Sequence, residues 1–214
     1  MEIIKLLKNG GTPELSYYLG LFWADGYCRK DKECLIEIVE DDGLDIEPIL
    51  KKVYNFKIYK RNRKNRKNQM TYYIYNKELN DFFKNNGKYS NSFESHEKIL
   101  NHLTDEYKIY FIKGLIDGDG CFYFNQKHYL RQFSLCSNYN QNWEAIEKIF
   151  LKYKISYKIK RRLEKSGNSS FILVSDKNSM KNLINLLYFE NIKIDGLHRK
   201  KDKALQILNS YKNV

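Results

Sequence analysis

Residues 15–27 read LSYYLGLFWADGY, and residues 110–122 read YFIKGLIDGDGCF. Each stretch is an apolar run that ends in an Asp-Gly pair and leads into a strand-like segment. Small residues stand four positions apart in each copy, which places them on one helical face and lets another backbone approach closely. These residues are Gly20 and Ala24 in the first copy and Gly114 and Gly118 in the second. The repeat therefore predicts two helices that pack against each other.

The acid that ends each predicted helix lies where a negative charge is unfavourable. The last carbonyls of a helix carry partial negative charge, so Asp25 and Asp119 are disfavoured there unless a cation is present. If the helices pack side by side, the two carboxylates also meet and repel each other. A divalent metal ion would remove both penalties, so the pair predicts a metal site.

The two stretches also resemble a known family. Tyr18 to Gly26 and Ile112 to Gly120 are similar to the paired signature helices of LAGLIDADG homing endonucleases, in the single-chain form that carries two motifs. Trp23 departs from the family motif, which often has an acid at that place, and Gly118 stands where the motif often has Ala. The resemblance covers most of the chain, because each motif is followed by a similar order of strand-like and helix-like segments.

The expected fold class is α+β. We expect two pseudo-symmetric α-β-β-α-β-β-α halves, packed through the paired signature helices, whose antiparallel sheets form a DNA-binding saddle. The first half is assigned to residues 1–87, a polar linker to residues 88–103 and the second half to residues 104–214. Thr12 and Thr104 are the predicted N-caps of the signature helices, since a Thr oxygen can accept from the free amides of a first turn.

The composition indicates a polyanionic partner. The net charge is +12 and the pI is near 9.3, and the basic residues alternate with Tyr and Asn in strand-like runs, which favours nucleic acid over an acidic membrane. No apolar run is long enough to span a bilayer, and the four cysteines lack metal-ligand spacing. We expect a soluble, intracellular monomer that binds double-stranded DNA. Phage, virus, organelle and bacterial host remain open as its source.

Candidate DNA contacts lie on the strand-like runs and on the basic segment 62–69. Arg, Lys, Asn and Gln on a two-stranded ribbon can read base edges in the major groove, and the same residues at hairpin rims can bind phosphates. The candidates are Arg29, Lys57, Tyr59, Arg61, Arg63 and Tyr73 in the first half, and Tyr123, Asn125, Lys127, Gln132, Lys158, Lys160 and Arg162 in the second. Glu33 and Glu37 lie in the same region, and whether they face the saddle is left open.

The resemblance implies metal-dependent hydrolysis of one phosphodiester bond in each DNA strand, at a long asymmetric target. Asp25 and Asp119, with the carbonyls of Ala24 and Gly118, would hold Mg²⁺, for which Mn²⁺ can substitute. When bound, the metal would activate water and neutralise developing charge.

Further residues are nominated from their positions in the two halves. Lys88 and Lys200 follow the third helix of each half and are nominated as catalytic basic residues, although a solvated surface lysine is the alternative for both. Asn140 and Gln141 are candidates for positioning water. The four histidines, His96, His102, His128 and His198, are scattered and are interpreted as surface residues.

An RNA-binding intron maturase or a DNA-binding regulator could use the same fold without cleavage. Such a protein would keep the basic saddle but would need no metal. Because both motif aspartates are present, the sequence favours the endonuclease.

Overall fold

In the described residues the helices and strands follow the same order in both halves of the chain, except that the second half ends with one additional helix. The computed structural model describes residues 2–29, 32–64, 66–88, 94–163, 167–189 and 192–211. The first half contains helices α1 (Glu2–Lys8), α2 (Pro13–Asp25), α3 (Glu40–Val53) and α4 (Lys77–Asn85), and strands β1 (Gly26–Arg29), β2 (Glu33–Val39), β3 (Lys57–Arg61) and β4 (Gln69–Tyr75). The remainder contains helices α5 (Glu97–Leu100), α6 (Asp105–Asp119), α7 (Glu144–Lys152), α8 (Lys177–Tyr188) and α9 (His198–Ser210), and strands β5 (Gly120–Asn125), β6 (Leu130–Asn138), β7 (Lys158–Arg162) and β8 (Ser169–Val174).

The two sheets have the same topology. Their strand orders are β1-β2-β4-β3 and β5-β6-β8-β7, and all pairs are antiparallel. With one helix before each sheet and one after each pair of strands, this confirms the predicted α+β fold. The boundaries of the halves stay a prediction, although α5 shows that the proposed linker is partly ordered, with Ile99 and Leu100 buried.

Buried and more exposed side chains alternate along the strands, so each sheet has a core face and an outer face. In the first sheet Cys34, Ile36 and Ile38 of β2 are buried, as are Met70, Tyr72 and Ile74 of β4. The core face of the second sheet is likewise formed by buried residues, namely Phe122, Phe133, Leu135, Ile172 and Val174. Both core faces pack against helices, so each sheet keeps one face free.

Helices α2 and α6 pack together at the centre of the molecule. A Cβ built on Gly20 would overlap the carbonyl oxygen of Phe111 and lie 2.8 Å from the amide nitrogen of Leu115. The other helix repeats this contact, because a Cβ on Gly114 would overlap the Tyr17 carbonyl oxygen. Only glycine allows the backbones to come this close, so the predicted packing of the two helices is confirmed.

Both central helices begin and end as the sequence suggests. Thr12 accepts a hydrogen bond from the Leu15 amide at 3.2 Å, and Thr104 accepts one from the Tyr107 amide at 3.4 Å. The glycines after Asp25 and Asp119 have extended backbones, with φ of −86° at Gly26 and −80° at Gly120. They are needed for space, since a Cβ on Gly120 would lie 2.6 Å from the Ile116 carbonyl oxygen.

Among the described residues, no helix combines the length and the apolar composition that crossing a bilayer requires.

Gly20→Ala tests the close packing of α2 and α6. Helix propensity alone predicts a gain of about 0.5–1 kcal/mol for Gly to Ala. Because the new methyl group would meet backbone atoms that cannot rotate away, we expect instead a loss of about 3 kcal/mol in the free energy of unfolding. Urea denaturation measures it, with Asn209→Ala at an exposed position of α9 as the propensity control. A stabilised Gly20→Ala protein would contradict the close packing.

Candidate functional site

The carboxylates of Asp25 and Asp119 lie at the adjoining carboxyl ends of α2 and α6. A Cβ built on Gly118 would lie 3.1 Å from Oδ2 of Asp25, so the acid of one helix lies against the last turn of the other. Burial and the nearby negative charge of Asp25 raise the pKa of Asp119 to about 6. The pKa of Asp25 is also raised, chiefly because the surrounding protein removes water from its carboxylate. The fold therefore concentrates negative charge at this end of the helix pair.

Both nominated lysines point into this region rather than into solvent. The Lys200 ammonium group donates to the carbonyls of Ile116 at 2.8 Å, Gly118 at 3.1 Å and Gly120 at 2.7 Å. Lys88 donates to the carbonyl of Trp23. Burial lowers the pKa of Lys200 to about 8 and also lowers the pKa of Lys88. The alternative of two solvated surface lysines is wrong for this structure.

For each aspartate, the lysine with the stronger effect on its pKa is the one that hydrogen-bonds to the other helix. Burial is the main cause of the raised pKa of Asp25, and among the lysines Lys200, bound to the α6 carbonyls, opposes that rise more strongly than Lys88. For Asp119 the order is reversed, and Lys88, bound to the α2 carbonyl of Trp23, acts more strongly than Lys200. We call Asp25 with Lys200, and Asp119 with Lys88, the two crossed pairs, because each joins the acid at the end of one helix with the lysine bound to a carbonyl of the other helix.

The donor set suits a hard divalent cation. Within the described ranges there is no group of three or more His, Cys, Asp or Glu side chains that could enclose a metal. Mg²⁺ commonly takes only one or two carboxylates and completes its shell with waters and phosphate oxygens. The Gly118 carbonyl accepts from Lys200 and has a second lone pair for a cation. Two carboxylates and a few carbonyls therefore match Mg²⁺ better than zinc.

Asp117, a motif residue without a predicted role, is fully buried beside this site. Its Oδ2 accepts hydrogen bonds from the Tyr17 hydroxyl at 2.8 Å and from the Leu197 amide at 3.1 Å. The second contact fixes the residue that precedes α9, the helix that carries Lys200. The motif spacing alone could have singled out Asp117, but its partner 80 positions away could not be predicted from the sequence.

The expectation that all four histidines lie on the surface is wrong for His96. Its side chain is 1% exposed and packs against Trp23, with ring centroids 5.0 Å apart, and against Phe111 and Trp143. Burial lowers the pKa of His96 to about 3, so the ring is neutral near pH 7. Trp23 stands in place of a motif acid. By packing against His96, which directly precedes α5, it attaches this segment to the core. A cavity of about 200 Å³ lies beside these rings and reaches Asp119.

The two candidates for positioning water differ in exposure. Asn140 is exposed, whereas Gln141 is fully buried. The Gln141 amide accepts from the Ser137 hydroxyl at 2.8 Å and donates to the Glu94 carbonyl at 2.8 Å. The oxygen and the nitrogen of the Gln141 side-chain amide are therefore both hydrogen-bonded to other protein atoms.

The outer face of the first sheet carries aromatic, basic and acidic residues together. A cavity of about 360 Å³ on this face is lined by the predicted contacts Arg29, Tyr59, Arg61 and Tyr73 and by Tyr27, Glu33, Leu35, Glu37, Thr71 and Tyr75. The two glutamates therefore face the saddle, which the sequence left open. Arg63 pairs with Glu37 at 2.9 Å, while Lys57 lies exposed on β3. Asn65, in the basic segment 62–69, lies outside the described residues.

The outer face of the second sheet is basic and polar. Lys158, Lys160 and Arg162 are exposed along β7, and the guanidinium carbon of Arg162 lies 5.1 Å from the centre of the Phe171 ring. Tyr123 is exposed opposite Gln132, and the amide of Asn125 donates to the Tyr123 hydroxyl at 3.3 Å. Lys127 is exposed in the turn between β5 and β6. The described strands of this sheet carry no acidic residue, in contrast to the first sheet.

Two family models match the chain, one in each half. A model described as a LAGLIDADG-like domain matches residues 106–187, and one described as a WhiA LAGLIDADG-like domain matches residues 15–102. The chain belongs to the LAGLIDADG family. The resemblance inferred from the two motifs is thereby confirmed, because each match contains one of them. A search of curated proteins gave no significant match.

Solved structures with the LAGLIDADG fold align over nearly the whole chain. The homing endonuclease I-WcaI bound to its DNA recognition sequence is 16% identical, with a TM-score of 0.61, over 92% of this chain and 91% of that chain. The LAGLIDADG homing endonuclease I-GzeII in complex with its DNA target is 14% identical, with a TM-score of 0.58, over 94% and 91%. I-DmoI in complex with DNA and calcium is 16% identical, with a TM-score of 0.55, over 84% and 91%. At these identities the likeness establishes the fold.

Asp119→Asn should stabilise the metal-free protein at neutral pH. The pKa of Asp119 is about 6 in the folded state and about 4 when unfolded. The ionised carboxylate therefore opposes folding increasingly as the pH rises from about 4 to 6, and fully above that range. We expect the variant to gain roughly 1–2 kcal/mol at pH 7 in EDTA and nothing below pH 4.

Urea denaturation across this pH range measures the gain. Asp105→Asn is the control of opposite sign, because hydrogen bonds from Lys108 and Lys152 lower the pKa of Asp105 and its charge therefore stabilises the fold above pH 4. An Asp119→Asn protein that is less stable than the wild type at pH 7 would show that Asp119 is a structural residue.

Proposed function

We propose that this protein is a homing endonuclease that cuts both strands of a long, asymmetric DNA target in a metal-dependent reaction. The observation that carries the proposal is the pair of carboxylates at the joined ends of α2 and α6, with a buried lysine bound to the carbonyls at each of these ends. A protein that only binds nucleic acid gains nothing from this arrangement. Two raised carboxyl pKa values in a basic protein point to a reaction site.

The proposed metal ligands are Asp25 and Asp119, assisted by the carbonyls of Ala24 and Gly118. When bound, Mg²⁺ or Mn²⁺ would lower the pKa of a coordinated water and neutralise charge on the phosphate oxygens. The two aspartates bind the cation as carboxylates, and their raised pKa values mean that acidic solution protonates them and weakens binding. The affinity for the metal should therefore weaken below about pH 6, the pKa of Asp119 in the metal-free protein, and activity at limiting metal should fall with it.

The lysines contribute fixed positive charge. All three hydrogens of the Lys200 ammonium group are directed at carbonyl oxygens of α6 and Gly120, so it acts on the phosphate through its charge rather than by direct contact. Preorganised charge of this kind stabilises a transition state without reorganisation during the reaction. Lys88 takes the equivalent role beside Asp119.

The two sheets supply the recognition surface. Their outer faces present donors and acceptors suited to base edges in the major groove. Among the described strand residues only those of the first sheet include acids, so the two faces differ in charge, and an asymmetric surface on one chain fits an asymmetric target. One chain already supplies both acids and both lysines, so we propose that the protein acts as a monomer.

Selection of cleaved sites from a randomised DNA library, in Mg²⁺ and in Mn²⁺, tests the proposed function. We expect one asymmetric site cut in both strands. Asp25→Asn and Asp119→Asn should each abolish double-strand cleavage and leave specific binding nearly unchanged, whereas the control Asp105→Asn should cut like the wild type. A motif-aspartate variant that still cuts both strands would disprove the site assignment, and a wild type that binds DNA but cuts neither strand would disprove the endonuclease.

A further inference from the structure

The amino end of α9 is held by three carboxylates, two of which come from the other half of the chain. The Leu197 amide donates to Asp117, as described above. The next residue, His198, donates its amide to Asp45 at 2.9 Å, and its ring nitrogen Nδ1 lies 2.7 Å from the same carboxylate. Arg199 then forms a two-pronged ion pair with Asp42, with distances of 2.6 Å and 2.7 Å. Asp42 and Asp45 both belong to α3 of the first half.

Asp42 is well placed to act as a rigid anchor. Its side chain is 9% exposed, whereas that of Arg199 is 58% exposed. The carboxylate lies in the first turn of α3 and contacts the first turn of α9, and both helix amino ends favour negative charge. The next residue, Gly43, accepts a hydrogen bond from the Tyr72 hydroxyl at 2.7 Å, which fixes this turn to the first sheet.

Lys200 directly follows Arg199. Its ammonium group must reach three carbonyls of the α6 end at once, so its placement depends on where the first turn of α9 lies. Asp117 holds that turn on the side of α6, and Asp42 holds it on the side of α3. The first half of the chain therefore fixes a lysine that the second half provides.

We propose that Asp42 is a positioning residue for Lys200, so that cleavage of one DNA strand depends on an ion pair between the two halves. This inference rests on the proposed function. Loss of the pair would free one side of the α9 amino end and shift Lys200 relative to Asp25. The other crossed pair, Lys88 with Asp119, would be left in place, so the predicted result is a protein that nicks one strand faster than the other.

The test uses the selected target with a different end label on each strand, and single-turnover rates of both cuts. Lys200→Met first identifies the strand that depends on Lys200. Asp42→Asn should slow the cut in that same strand about 10-fold, less than the roughly 100-fold that a 1 Å misplacement of reacting atoms can cost, because Lys200 acts through its charge and not by contact. It should leave the other strand within about twofold. Asp81→Asn, which breaks an ion pair with Lys77 within α4, is the control and should leave both rates unchanged.

Arg199→Gln separates positioning from a direct charge effect. The charge of Asp42 raises the pKa of Asp25 and that of Arg199 lowers it, both secondary to burial, so a direct effect would move the rates of the two variants in opposite directions. Positioning predicts that both variants slow the same strand, and that the double variant is no slower than either single one.

The outcomes are distinct. Equal slowing of both strands, multiplicative effects in the double variant, or an unchanged Asp42→Asn protein would overturn the inference. A wild type that cuts neither strand would instead overturn the proposed function. If Asp42→Asn fails to fold, the exposed Arg199→Gln change tests the same ion pair and decides the question.

Discussion

The approach of α2 and α6 depends on two glycines, and the rest of the site depends on that approach. Any side chain at Gly20 or Gly114 would meet backbone atoms of the facing helix. Because the helices run this close, their carboxyl ends meet, and strands β1 and β5 begin one residue later, at Gly26 and Gly120. The position of both acids and of both sheets thus follows from a single steric constraint.

This geometry places charges where they destabilise the protein on its own. Two carboxylates share the negative ends of two helices, and burial raises the pKa of both. Lys88 and Lys200 offset part of this charge, but burial lowers the pKa of each lysine as well. Proteins retain such an arrangement when a cation or a charged substrate completes it. In the proposed function a DNA phosphate and a metal ion complete the arrangement.

The regular parts of the molecule could be predicted from the sequence. The repeated motif, the N-caps at Thr12 and Thr104, and the alternation along the strands are local patterns, and each fixes a local structure. The contacts that complete the site are long-range, and local patterns do not reveal them. Arg199 and Asp42 are separated by 157 positions, so nothing in either neighbourhood indicates the pair. His96 has ordinary polar neighbours in sequence, and only the packing of Trp23 and Trp143 shows that it is buried.

The central claim is that Asp25 and Asp119 occupy one site and affect each other's ionisation. Titration of the Asp119 carboxyl carbon by NMR, in metal-free wild type and in Asp25→Asn, tests it directly. We predict a pKa of about 6 for Asp119 in the wild type and a lower value in the variant, because burial remains but the charge of Asp25 is gone. The same value in both proteins, close to that of an exposed aspartate, would contradict the account.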